Sequence, residues 1–252
     1  MENDIEISLK NYITYLERSR PDILKHPRFL YYVQDLETYL RMPGIEKRIG
    51  FWPCLDESTA ETKIDKYYFY QDTWAAGKVF AINPGTLVDV GSTALLVGIM
   101  AKRYKTISID IRPLPVSLPN LESRKGSITD LPFEDGTVET LSSLCVIEHI
   151  GLGRYGDPLD TQGSLNAFRE IRRVIRQEGH LLISVPLSHT PGLLFNAHRI
   201  FCRNDVLNNL EGFSLMDELY LFPEPGGCEN VSRLTEMQYC VWCGHFTKSA
   251  AT

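Results

Sequence analysis

The segment from Thr86 to Asp110 constrains the fold of this 252-residue chain more than any other. It runs Thr-Leu-Val-Asp-Val-Gly-Ser-Thr, then a short apolar stretch, then Thr-Ile-Ser-Ile-Asp. An apolar β-type run ends in Asp89-Val90-Gly91, a helical segment follows over Leu95–Tyr104, and a second β-type run, Thr106–Asp110, ends in an acid. That order is one strand–loop–helix–strand unit. A glycine at the first bend lets backbone N–H groups approach a ligand closely, and an acid at the second strand tip can grip a ribose diol. The segment therefore predicts a nucleoside-binding α/β domain.

Composition narrows the function classes. A chain of this length with 43% hydrophobic residues can bury a substantial core. The net charge of −6, with no Lys/Arg run, argues against recognition of a nucleic-acid backbone, so no nucleic-acid partner is expected. The longest apolar run worth noting, Ala94–Ala101, falls far short of the roughly 20 residues of a membrane helix. The acidic start, Met1-Glu2-Asn3-Asp4, lacks the basic and apolar regions of a secretory signal. No membrane span and a cytoplasmic location are expected, where the scattered cysteines at 54, 145, 202, 228, 240 and 243 would be free thiols.

Residues 1–79 read as an N-terminal helical and irregular extension, and residues 80–252 as the main domain. In the extension, Ile13, Leu16, Leu30, Val33, Leu36 and Leu40 recur at helical spacing, punctuated by Pro21, Pro27 and Pro43-Gly44. The aromatic run Tyr67–Trp74 reads either as a helix packing its rings onto the main sheet or as a lid. Beyond Gly85, strands are expected at 86–90, 106–110, near 122–125, at 138–144 and at 180–185. A helix over 164–175 would bury Leu165, Phe168, Ile171 and Val174 or Ile175, with Gly179 close to its C-terminal end. Arg203–Asn209 reads as a further helix. The runs 214–222 and 238–246, with no long helix between them, predict an antiparallel pair at the sheet edge. The expected fold is α/β: a doubly wound, mostly parallel seven-stranded sheet closed by an antiparallel C-terminal hairpin, with an N-terminal helical extension.

Over residues 80–250 this pattern resembles the class I S-adenosylmethionine-dependent methyltransferases. The resemblance implies S-adenosyl-L-methionine as cofactor and assigns it residue by residue. Asp89, Gly91 and Ser92 would hold the methionine end, and Asp110 with the adjoining Ile111 the ribose. Ser127, Ile128, Thr129 and Asp130 would flank the adenine, and Cys145, at the exit of the fourth strand, would face the methyl group. The chain departs from the pattern at Thr93 and Leu95, where further glycines are usual, and at Ser127, where an acid is usual. Leu95 would narrow the first loop. A closer resemblance is carried by Gln71-Asp72-Thr73-Trp74, Asp89-Val90-Gly91-Ser92, Asp110-Ile111-Arg112-Pro113-Leu114, the run Glu148–Pro158 and Phe195-Asn196-Ala197-His198-Arg199. Together they are similar to a methyltransferase-like domain-of-unknown-function family often associated with bacterial surface-polysaccharide gene clusters, which implies a small-molecule or glycan acceptor.

The run Glu148–Pro158 sets three glycines beside a His, an Arg, a Tyr and an acid. Methyl transfer to a hydroxyl needs in-line approach and a positioned base, and imidazole has the right proton affinity near neutrality. His149 is therefore the expected base, with Asp157 beside it and His198 as second choice; Arg154, Tyr155 and Arg199 would orient the acceptor. The plainer reading is that His149 and Asp157 shape the loop and Arg199 pairs with a surface acid. Cys228, Cys240, Cys243 and His245 have zinc-like spacing, but residues three apart on a strand point to opposite faces, so no metal site is expected. The functional expectation is O-methylation of a sugar-related acceptor. Its rivals are a catalytically silent binding protein and a nicotinamide-dependent oxidoreductase, although the latter needs a fuller glycine loop than Gly91-Ser-Thr-Ala-Leu-Leu.

Overall fold

The computed structural model describes residues 2–44, 49–222 and 238–250. It divides into two compact units, residues 1–63 and 64–252. The first holds helices α1 (Glu2–Ser19), α2 (Pro21–Leu24) and α3 (Phe29–Leu40). Proline opens α2 at a position where the missing N–H costs nothing.

The second unit begins ahead of helix α4 (Lys66–Ile82), not at residue 80 where the sequence suggests the boundary. Asp65 caps this helix by accepting the Tyr68 N–H at 3.1 Å, and Asn83 ends it in the left-handed conformation. Ala75 and Val79 are buried against Leu87, Leu96, Met100 and Leu182, so α4 belongs to the core of this unit.

Its sheet contains β1 (Thr86–Val90), β2 (Lys105–Asp110), β3 (Leu121–Lys125), β4 (Val138–Leu144), β5 (Ile175–Leu187), β8 (Phe213–Leu221) and β9 (Cys240–Lys248) in the order β3-β2-β1-β4-β5-β9-β8. The first five are parallel; β9 runs antiparallel between β5 and β8. The expected hairpin is present, but its last strand is interior and β8 forms the edge. Central strands covered on both faces should be buried throughout, as Leu87–Val90 and Thr140–Leu144 are.

Helix α5 (Ala94–Met100) buries Leu96, Val97 and Met100. Helix α6 (Gly163–Val174) buries Ser164, Ala167, Phe168, Ile171 and Val174, one stripe at helical spacing. Leu165 lies off that stripe. The helix ends at Val174 because Ile175 already pairs with Val138, so Gly179 falls inside β5 rather than at a helix end. A two-stranded ribbon, β6 (Gly192–Leu194) with β7 (His198–Ile200), and helix α7 (Arg203–Asn209) complete the unit. The segment Phe195–Arg199 is thus the tip of a ribbon and the start of its second strand.

In this topology the chain runs outward from β1 to β2 and β3, then returns to place β4 on the other side of β1. The carboxyl ends of the strands on either side of that reversal are where open α/β sheets bind ligands.

Candidate active site

A cavity of about 310 Å³ opens at these strand ends, lined by residues from the exits of β1, β2, β3 and β4 and from the glycine-rich loop after β4. At the tip of β1, Gly91 has φ of +72° and its N–H donates to the Ile109 carbonyl at 3.0 Å. A Cβ there would stand 3.1 and 3.2 Å from the Val146 methyls and 3.8 Å from Asp110 Oδ2. Glycine is required by the backbone, and its bare Cα keeps the space beside the Asp110 carboxylate open. Asp110 itself accepts the Arg112 N–H at 2.7 Å, which fixes the carboxylate at the cavity wall. Ser92, Ile111, Ser127, Ile128 and Thr129 line the same cavity. Ser127 Oγ accepts the Thr129 N–H at 3.2 Å and lies 2.8 Å from its hydroxyl, forming a tight turn.

Two residues expected at the cofactor lie elsewhere. Asp89 is buried beneath the loop: one oxygen accepts the Ser142 hydroxyl at 2.6 Å and the other the Ser92 N–H at 3.2 Å. Burial pushes its carboxyl up to about 6, against the opposing pull of those hydrogen bonds. It braces the loop from below and does not line the cavity. Asp130 is exposed and also outside the lining. The anticipated narrowing by Leu95 does not occur, because that side chain is 74% exposed. Thr93 replaces a loop glycine with a helix cap, its hydroxyl accepting the Leu96 N–H at 3.3 Å.

On the other side, Cys145, Val146, His149, Ile150, Gly151, Tyr155 and Asp157 are among the lining residues. Cys145 has φ of +54° and turns the chain out of β4 into a single 3₁₀ turn, Ile147–His149. The His149 Nδ1 is 2.6 Å from the Ala197 carbonyl. A carbonyl only accepts, so Nδ1 carries the proton and Nε2 keeps a free lone pair. Burial pushes this imidazole down to about 4, so it is neutral at pH 7. Tyr155 stands edge-on to it, ring centroids 5.5 Å apart, with the Arg112 guanidinium 4.3 Å above the tyrosine ring.

The remaining acceptor-side candidates are occupied with the loop itself. Asp157 accepts the Gly151 N–H at 2.7 Å, the Tyr155 N–H at 3.3 Å and the Gly153 N–H at 3.4 Å. Burial works to raise its carboxyl, and these donors outweigh it and leave it below the usual range. Arg199 donates to the Ile150 carbonyl at 2.5 Å, the Asp160 carbonyl at 3.2 Å and the Ser164 hydroxyl at 3.2 Å. Neither Arg199 nor His198 lines the cavity; the His198 ring packs edge-on to His149 and Tyr239. Arg154 donates to the Ala197 carbonyl at 3.0 Å and also lies outside the lining.

Several organising residues escape a reading of the sequence. Gln71 is fully buried and its carbonyl accepts from the Ser184 hydroxyl at 2.6 Å and the Cys145 thiol at 3.0 Å. Its amide donates to Asp72, which accepts the Thr93 hydroxyl at 2.5 Å. The aromatic run is therefore half structural and half site: Tyr67 and Trp74 pack on the sheet, Tyr68 lines the cavity, and Gln71-Asp72 tie the β1 loop to the β4 exit. The only sequence signal was the block Gln71–Trp74. As for zinc, Cys240 and Cys243 fall in separate core clusters, and no metal-holding group of His, Cys, Asp or Glu is present among the described residues. Cys228 lies outside them.

Residues 133–221 match a family model described as "Caenorhabditis protein of unknown function, DUF268". This is roughly a third of the chain, from just before β4 through β8, and that description assigns no activity. No curated protein matches. Solved structures do. The [4+2]-cyclase SpnF superposes with a TM-score of 0.53 at 13% identity, covering 71% of this chain and 81% of its own. The 1,6-didemethyltoxoflavin-N1-methyltransferase of Burkholderia thailandensis, solved with S-adenosylhomocysteine, gives 0.51 at 14% identity, covering 73% and 84%. The YcgJ protein of Bacillus subtilis gives 0.51 at 12% identity, covering 73% and 100%. With the strand order above, these define the class: the chain has the class I methyltransferase fold. A cyclase among the neighbours shows that this fold does not by itself dictate methyl transfer.

Proposed function

We propose that the chain is a cytoplasmic S-adenosylmethionine-dependent methyltransferase that O-methylates a sugar or glycan-related acceptor. One observation carries the reading. The bare Cα of Gly91 lies beside the Asp110 carboxylate in the wall of a cavity at the strand reversal, with Ile111 and Ile128 in the same lining. These residues fit the cofactor: a carboxylate that accepts two hydroxyl hydrogen bonds, apolar side chains for a base, and exposed backbone for an amino-acid end.

S-adenosylmethionine supplies an electrophilic methyl group on a positively charged sulfur. The protein would do the rest. Gly91 and Ser92 hold the methionine end, Asp110 the ribose, and Ser127, Ile128 and Thr129 the adenine side. His149 Nε2 takes the acceptor proton, and its tautomer is set in advance by the Ala197 carbonyl. Tyr155, 36% exposed at the cavity mouth, offers an aromatic face to a sugar ring, with Arg112 and Arg154 stacked on it. Asp89, Asp157 and Arg199 serve as braces, and His198 supports His149 from behind.

Calorimetric titration with S-adenosylmethionine and S-adenosylhomocysteine, with NAD as control, tests the reading. Micromolar binding of the first two is expected. Binding of NAD alone would replace it with the oxidoreductase reading, and binding of none of the three with the silent one.

A further inference from the structure

Two carboxyls are fully buried among the described residues, Asp89 and Glu148, and they are treated oppositely. Both oxygens of Asp89 accept hydrogen bonds. Glu148 Oε2 has none. A buried oxygen left unpaired costs a few kcal/mol for a neutral group and far more for an anion, so such an arrangement persists where the group has a partner in another state of the protein.

Glu148 sits in the 3₁₀ turn at the β4 exit, buried one layer behind the lining that Cys145, Val146 and His149 form, and not itself part of it. Its Oε1 is 3.7 Å from His149 Nε2. The titratable groups around it come from four elements: Cys145 and His149 on its own turn, Tyr68 on α4, Arg154 on the glycine loop, and Tyr239 ahead of β9. Burial keeps the Cys145 thiol well above its usual range and raises Tyr68 to about 12 and Tyr239 in the same direction. His149 is held neutral by its own burial. Among the described residues, the charge that acts on it is that of Arg154, which lies on the exposed loop. Burial accordingly pushes Glu148 up to about 8, partly offset by its own backbone N–H, Cys145 and Arg154. Burial thus favours the protonated form of a carboxyl whose Oε2 has no hydrogen-bond partner among the described residues.

We infer that Glu148 is the counter-charge of this cavity: it gives up its proton to solvent when a sulfonium occupies the cavity and keeps it when the neutral thioether of the same shape does. The inference rests on the cofactor reading above. A buried carboxylate is tolerated when an opposite charge enters with it, so one proton leaving as one cation arrives holds the site electrically neutral. The same exchange leaves a carboxylate behind His149, where the imidazolium formed by taking an acceptor proton would be stabilised.

The full chain is titrated calorimetrically with S-adenosylmethionine and with S-adenosylhomocysteine, in buffers of different ionisation enthalpy at pH 7. Release of about one proton is expected with the first ligand and about none with the second. From pH 6 to 7 the ratio of the two affinities should rise about tenfold in favour of the sulfonium, any protonation common to both ligands cancelling in the ratio. Glu148→Gln should release no proton and show a flat ratio. Equal proton release with the two ligands, or release that survives in Glu148→Gln, overturns the inference and leaves the cofactor reading standing. Binding of neither ligand overturns both. The two-ligand comparison on the unmodified chain decides the matter even if the variant does not fold.

Discussion

The two walls of the cavity are built on different principles. The wall made by β1, β2 and β3 satisfies its own polar atoms: Asp89 is saturated from Ser142 and Ser92, Asp110 is fixed by the Arg112 N–H, and Ser127 and Thr129 close on each other. Behind the wall made by the β4 exit and the loop after it, Glu148 Oε2 of the exit turn and His198 Nε2 of β7 are buried without partners among the described residues. The wall is held by Arg199 from outside the lining and by Asp157 from within it. A saturated wall is a rigid mould for one ligand. A wall backed by unpaired atoms and held by clamps is where protons can move, since a fully paired network has no vacancy to accept one.

That contrast can be broken at its strongest point first. Gly151 has φ of +81°, and a Cβ there would lie 2.0 Å from the Asp160 carbonyl oxygen. Gly151→Ala should cost about 3 kcal/mol or more in urea unfolding, from backbone strain and overpacking together. A smaller loss would mean that the loop is not clamped as described. Arg199→Ala should cost ~2 kcal/mol, because three acceptors lose a charged donor, while S-adenosylhomocysteine affinity changes less than about threefold. Unchanged stability would return Arg199 to the acceptor-binding set. On the opposite wall, Asp110→Ala should reverse the pattern: affinity for S-adenosylhomocysteine falls about tenfold, near 1.4 kcal/mol, with little change in the unfolding midpoint. Retained affinity would remove the ribose assignment. The smallest effect is expected at Leu95, whose alanine variant should stay within about 0.5 kcal/mol in stability and bind as before. A marked gain in affinity would revive the idea that this side chain narrows the loop.

The saturated wall was largely legible in the sequence because its determinants are local. Strand, glycine, cap and acid follow one another within Thr86–Asp110, and parallel strands give each acid a known exit. Even there, Asp89 was placed in the cavity when it lies under it, since the partner that draws it down, Ser142, is 53 residues away. The clamped wall was legible as a cluster of chemical groups but not as a division of labour. Arg199 and Asp157 resemble ligand contacts in sequence, and only the folded loop shows their hydrogen bonds committed to backbone atoms. Gln71 and Glu148 gave no signal of their kind, because a buried glutamine and a buried glutamate look like surface residues until their environment is known.

What the sequence determined by itself was the order of elements, the parallel sheet with its returning hairpin, and the end of the sheet at which ligand chemistry gathers. Those follow from hydrophobic period and turn residues, which act over a few positions. What only the tertiary structure decided was which polar groups are spent and which are spare, for partners that saturate them lie 35 to 113 residues away, as Ser164 does from Arg199 and Ser184 from Gln71. Burial and hydrogen-bond satisfaction are properties of the assembled core, and no local pattern records them.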